Sequence, residues 1–214
     1  MNGLRTPTGG RSRRLTKGRL VGLDRSGPEP PATRRGQPLR PLTIPNLIGY
    51  ARLAAIPVFL YLAFESDDGR SAAGAILYAL IAGGDYLDGL VARATGQYSR
   101  MGAILDPIVD RVTILSGVVV CWHFELLPRW ALAALVAREL VTVVAAEIGL
   151  RRGMDVEINW LGRIGVWVAM TAIFLALAVD TWVSTALLLI GLAALILATI
   201  LYLRAGLGPK RSTR

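Results

Sequence analysis

Residues 71–124 read SAAGAILYALIAGGDYLDGLVARATGQYSRMGAILDPIVDRVTILSGVVVCWHF, and the fold follows from this stretch. It holds two apolar runs, 71–92 and 104–124, joined by a short polar link. Each is close to the roughly 20 residues that a helix needs to cross a bilayer. Four aspartates lie near the link, Asp85 and Asp88 before it and Asp106 and Asp110 after it. Charges inside membrane segments cost several kcal/mol each and are usually functional. Spacings of three and four residues put each pair on one helix face, and the short link lets the two pairs face each other.

Four carboxylates in one small space repel, and without a cation at least one of them takes up a proton. Hard divalent ions with oxygen ligands relieve this, and two ions about 3.5–4 Å apart suit phosphoryl chemistry. Gly83, Gly84 and Gly89 flank the first pair, and Gly96 and Gly102 precede the second. Residues without a Cβ let a phosphate approach the backbone. Arg93, just beyond the first pair, can meet a phosphate with both guanidinium nitrogens. Helix capping is the competing explanation, with Asp106 as an N-cap and Pro107 at the first helical position. It accounts for one aspartate and leaves the other three.

Outward from this stretch, further apolar runs cover 44–64, 129–150, 160–179 and 181–203, and Ser71 is placed to cap the second of the six. The chain is 53% hydrophobic and 18% charged, against about 25% charged residues in soluble domains. The expected fold is therefore all-α, an integral membrane bundle of six transmembrane helices over 43–205. Residues 1–42, rich in Arg, Gly and Pro, cannot bury enough surface to fold alone, so a disordered basic tail is expected. A short basic tail, 206–214, ends the chain. The net charge of +9 is placed to meet anionic membrane lipids and not nucleic acid.

Loop charges give the orientation. Arg93 and Arg100, Arg151 and Arg152, and Arg204, Lys210, Arg211 and Arg214 fall on one side with the basic tail. The other side carries Glu65, Asp67, Asp68 and Arg70, then Glu125 and Arg129, then Asp180, with Trp122, Trp130 and Trp182 near that interface. Positive loops stay cytoplasmic, so both termini are expected there, in the cell membrane. The first apolar run starts far from Met1 and lacks a small-residue cleavage pattern, so no secretory signal peptide is expected. A single cysteine, Cys121, and a single histidine, His123, exclude an intrachain disulfide and a Cys/His zinc site, and packing is their expected role.

Written out, the aspartate segment is Asp85, two residues, Asp88-Gly89, two residues, Ala92-Arg93, eight residues, Gly102, three residues, Asp106, three residues, Asp110. It resembles the signature of the CDP-alcohol phosphatidyltransferase family at every fixed position. The resemblance runs more loosely over 43–203. It implies six membrane helices around a cytoplasm-facing polar active-site cavity, with Mg²⁺ or Mn²⁺, two ions in all, on Asp85, Asp88, Asp106 and Asp110. It implies CDP-diacylglycerol as donor, attack by an alcohol on the lipid-side phosphorus, and departure of CMP. Asp110 is then also the general base, and Gly89, Ala92, Arg93 and Gly102, with Asn46, face the CDP-lipid. Homodimers occur in this family.

The acceptor lies outside that signature. Ile44-Pro45-Asn46 followed by Arg52, and Ala137-Arg138-Glu139, resemble phosphatidylglycerophosphate synthases. Arg138 and Arg163 would then hold the phosphate of glycerol 3-phosphate. An ion pair of Arg138 with Glu139 or Glu147, and interface anchoring of Arg163, are the structural alternatives. The run Arg163-Ile164-Gly165-Val166-Trp167 departs from that subgroup, which usually continues with another Lys and a Thr. It leaves room for a cardiolipin synthase of the same family with phosphatidylglycerol as acceptor, and more weakly for an inositol phosphate acceptor. Two further classes fit the sequence less well. A cation transporter needs polar groups continuing across the membrane, but the third run is largely apolar from Thr113 to Trp122. A non-catalytic anchor has no use for four intact aspartates.

Overall fold

Thr43, Ser71 and Ser99 each sit in extended backbone, and each side-chain oxygen accepts the N–H of the residue three further on. These are N-caps, which satisfy donors that a helix start leaves open. In the computed structural model, which describes residues 38–151 and 160–207, they open the first three of six helices. The helices are α1 (Ile44–Phe64), α2 (Ala72–Thr95), α3 (Arg100–His123), α4 (Arg129–Arg151), α5 (Trp160–Ala178) and α6 (Trp182–Leu207). No strand occurs among the described residues. Ser71 caps α2 as expected, and α2 ends on Gly96 in the left-handed region, φ 67°, where glycine carries no steric cost.

Three boundaries differ from the expected runs by three or four residues, one of them the end of α6, which runs on from 203 to Leu207. Helix α2 runs on to Thr95, and α3 starts at Arg100, four residues before the expected apolar run. Ser99 supplies the cap, accepting the Gly102 N–H at 2.9 Å. Asp106 and Pro107 therefore lie in the second turn of α3, and Asp106 does not cap it.

α1 packs on α2 and α3, α5 packs on α6, α2 and α3, and α4 packs on α6 and α3. The buried core includes Phe59, Tyr78, Ile81, Val120, Leu132, Leu135, Ile173, Leu177, Leu188 and Leu195. α5 and α6 meet backbone to backbone. A Cβ at Gly191 would lie 2.9 Å from Ala169 N and 3.1 Å from Gly165 O, the close approach that small residues permit between membrane helices. Large apolar side chains such as Ile76, Leu80, Leu140, Val144, Ile190 and Leu197 point outward.

Four helices, α1, α2, α5 and α6, are long and apolar enough to cross a membrane by length and composition. α3 and α4 have the length but carry more charge: Arg100, Asp106, Asp110 and Arg111 on one, and Arg129, Arg138, Glu139, Glu147 and Arg151 on the other. At one end of the bundle Arg70 of the α1–α2 loop pairs with Asp180 of the α5–α6 loop at 3.0 Å. Those two loops lie together, as the charge pattern requires. Cys121 is buried, and the His123 ring packs edge-on against Phe64 and Phe124, in keeping with a packing role. The basic tail expected over 1–42 lies outside the described residues up to 37, as do Arg152 and residues 208–214.

Candidate active site

α1 carries one charge in 21 residues, Arg52. It is 4% exposed and reaches across to α2 and α3. Its Nε donates to the Ile81 carbonyl at 2.8 Å, Nη1 to Asp88 Oδ2 at 3.0 Å and Nη2 to Asp110 Oδ1 at 2.8 Å. Asp85 Oδ1 lies 3.9 Å from the same Nη1. One guanidinium thus joins one carboxylate from each aspartate pair, a forked geometry that lysine does not reproduce. In sequence Arg52 stands only as part of the Ile44-Pro45-Asn46 resemblance, with no partner of its own. The signal was present, because a lone charge in an apolar run requires a partner.

The two pairs expected to face each other do so. Asp106, one turn before Asp110, lies within electrostatic reach of Asp85, Asp88 and Asp110. It makes no hydrogen bond or ion pair among the described residues. Asp88 is buried, whereas the side chains of Asp85 and Asp110 are 44% and 34% exposed, so the site opens outward on that side. Four carboxylates and one bound guanidinium leave an excess of negative charge. The donor set, hard oxygens without a soft ligand, is of the kind that divalent ions such as Mg²⁺ or Mn²⁺ take. Asp88 and Asp110 are tied to Arg52, and among the described residues no group of three or more acidic, histidine or cysteine side chains is placed to hold an ion.

The glycines divide by what they face. A Cβ at Gly84 would lie 2.6 Å from Arg52 Cδ and 3.0 Å from its Nε, so the arginine's path across α2 requires glycine there. Gly83 has open space, and Gly89 faces the Arg93 guanidinium, 3.2 Å from where a Cβ would stand. Arg93 and Ala92 lie on the last turns of α2, half-buried.

Asn46 is buried behind the start of α3. Its Nδ2 donates to the Arg40 and Pro41 carbonyls at 3.1 and 3.0 Å, and its Oδ1 accepts the Ser99 hydroxyl at 2.9 Å. Gly102 fits beneath it, since a Cβ there would lie 2.8 Å from Asn46 Oδ1. Met101 N–H donates to the Leu39 carbonyl and Ile44 N–H to Gln97 Oε1. Residues 39–46 are therefore laced to the α2–α3 loop at the aspartate end of the bundle.

Arg138 lies on α4, mostly buried. It pairs with Glu139, and its Nε donates to Thr199 Oγ1 on α6 at 3.2 Å. The ion pair offered as the structural alternative is thus present. Arg138 Nη2 also comes within 4.0 Å of where a Cβ on Gly162 would stand, in the first turn of α5. Arg163 follows in that turn, half-buried. The two expected acceptor arginines therefore belong to neighbouring turns of α4 and α5.

A model of the CDP-alcohol phosphatidyltransferase family matches residues 42–201. A cardiolipin synthase (CMP-forming) from Streptomyces coelicolor is 38% identical over 178 residues, covering 80% of this chain and 83% of that one. A putative cardiolipin synthase from Mycobacterium tuberculosis is 30% identical over 170 residues, 78% of this chain and 80% of that one. A CDP-diacylglycerol–glycerol-3-phosphate 3-phosphatidyltransferase from Bacillus subtilis is 29% identical over 142 residues, 61% of this chain and 74% of that one. The aspartate signature, the membrane character of the helices and these likenesses agree: the chain belongs to the CDP-alcohol phosphatidyltransferase family, as a transferase of phospholipid biosynthesis.

Proposed function

We propose that the protein transfers the phosphatidyl group of CDP-diacylglycerol to the free glycerol hydroxyl of phosphatidylglycerol, giving cardiolipin and CMP. The observation that carries the transfer is the meeting of two aspartate pairs from α2 and α3 on one open-sided site. The acceptor hydroxyl attacks the lipid-side phosphorus, the bond to the CMP oxygen breaks, and the hydroxyl proton passes to Asp110, the general base. Divalent ions held by Asp85, Asp88, Asp106 and Asp110 would supply the positive charge that the diphosphate and departing CMP need. Gly89, Ala92, Arg93 and Gly102 line the approach of the nucleotide.

Two observations favour the lipid acceptor. The Streptomyces and Mycobacterium relatives that carry the cardiolipin synthase name align over about 80% of their length. Arg138 is already neutralised by Glu139, and the run after Arg163 is apolar. A glycerol 3-phosphate acceptor is the second reading, favoured by the Bacillus relative and by the Ala137-Arg138-Glu139 run. In this proposal all six helices cross the cell membrane, with α3 and α4 turning their charges inward, and both termini are cytoplasmic. Purified protein given CDP-diacylglycerol with phosphatidylglycerol or glycerol 3-phosphate, in Mg²⁺ or Mn²⁺, tests this by product mass. Cardiolipin with CMP is the expected result. Phosphatidylglycerophosphate alone would favour the second reading, and no CMP with either acceptor would sink both.

A further inference from the structure

We propose that Arg52 is a positioning residue for the aspartate site, holding Asp88 and Asp110 at a fixed separation so that the carboxylates can receive divalent ions. The inference rests on the metal reading above. Arg52 has no room to be elsewhere, since it is 4% exposed and its Nε is fixed by the Ile81 carbonyl at 2.8 Å. From that anchor its two Nη atoms take one oxygen from Asp88 on α2 and one from Asp110 on α3. Each bond fixes a carboxylate that like charges would otherwise push away. Asp110, with a side chain 34% exposed, is thereby held on the open side with Asp85, while Asp88 is held in the buried interior.

A buried arginine beside a cation site can act in two opposite ways. As a mere rival positive charge it weakens ion binding, and its removal strengthens it. As a positioning group it orients the ligands, and its removal weakens ion binding, typically about ten-fold or more. Three features favour the second. The fork engages both helices, the backbone anchor prevents the guanidinium from following the carboxylates, and Gly84 keeps the passage open at 2.6 Å from Arg52 Cδ. A simple countercharge requires none of these.

The experiment measures Mn²⁺ affinity of the full chain in detergent, by calorimetry or by the loss of free-ion electron spin resonance, with no substrate present. Arg52→Gln, Arg52→Lys and Gly84→Ala are compared with wild type. Gly84→Ala keeps every charge but displaces the guanidinium. All three are expected to bind Mn²⁺ about ten-fold more weakly, with Arg52→Lys the least affected. Should Arg52→Gln not fold, the other two decide. Affinity that rises in Arg52→Gln, or stays at the wild-type value in Arg52→Lys and Gly84→Ala, overturns the proposal. Absence of Mn²⁺ binding in the wild type is a different result, since it removes the metal reading itself.

Discussion

Two glycine-to-alanine substitutions of identical chemistry are expected to move stability in opposite directions. At Gly191 on α6 the added methyl would stand 2.9 Å from Ala169 N and 3.1 Å from Gly165 O, both backbone atoms of α5. Ordinary contact begins near 3.4 Å, so the helices must part by about 0.5 Å along a seam that also buries Ile173, Leu188, Leu192 and Leu195. Overpacking of this kind costs about 1–3 kcal/mol, and the upper part of that range, about 2–3 kcal/mol, applies here because the obstacle is backbone and no side-chain rotation relieves it. Alanine recovers about 1 kcal/mol of helix propensity over glycine, which offsets only part of the cost. At Gly83 on α2 nothing lies within 4 Å of the new methyl, so the propensity gain of about 0.5–1 kcal/mol stands alone. Thermal unfolding in detergent, followed by tryptophan fluorescence, should show Gly191→Ala melting about 2–6 °C below wild type and Gly83→Ala slightly above it. A Gly191→Ala protein that melts at or above wild type would refute the backbone-contact argument.

Asp110→Asn keeps an oxygen for Arg52 but loses the base, so CMP release should fall at least about a hundred-fold in a protein that still folds; full activity would remove Asp110 from that role. Chelation by EDTA should abolish CMP release, with recovery on adding Mg²⁺ or Mn²⁺ and not Ca²⁺ alone, read by nucleotide chromatography. Arg138→Met leaves the mostly buried Glu139 without its ion-pair partner, so it should lower the thermal unfolding midpoint while leaving the KM for phosphatidylglycerol near wild type. Ser99→Ala removes the α3 cap and the hydroxyl that Asn46 accepts, and should cost about 1–3 kcal/mol in chemical or thermal unfolding.

Much of the architecture is written locally. Apolar length sets the six helices to within a few residues, and Ser71 caps α2 as its type and place suggest. The start of α3 was not legible, because the Arg-Met-Gly-Ala sequence before Ile104 is not an apolar run, and only the Ser99 cap and its link to Asn46 reveal that the helix begins there. The aspartates were legible by spacing alone. Their inner partner was not, because Arg52 lies 36 residues from Asp88 and 58 from Asp110, far beyond any helical period. Gly84 illustrates the same limit. Sequence makes it one of several glycines near a phosphate site, whereas its neighbour in space is an arginine from another helix. Arg138 has two readings in sequence, and in space it both pairs with Glu139 and reaches toward α5.

The lone arginine of α1 also bears on how the protein is made. A helix that enters lipid with an unpaired guanidinium near its middle meets a cost of about 3 kcal/mol. In this chain the matching carboxylates are synthesised later, Asp88 on the second helix and Asp110 on the third. α1 therefore gains its full preference for the bilayer only when its two successors have emerged, and the three are expected to settle as one group behind the ribosome. Alanine at Asp88 or Asp110 would then reduce the amount of protein inserted as well as the chemistry, whereas asparagine would leave a partner for the waiting arginine.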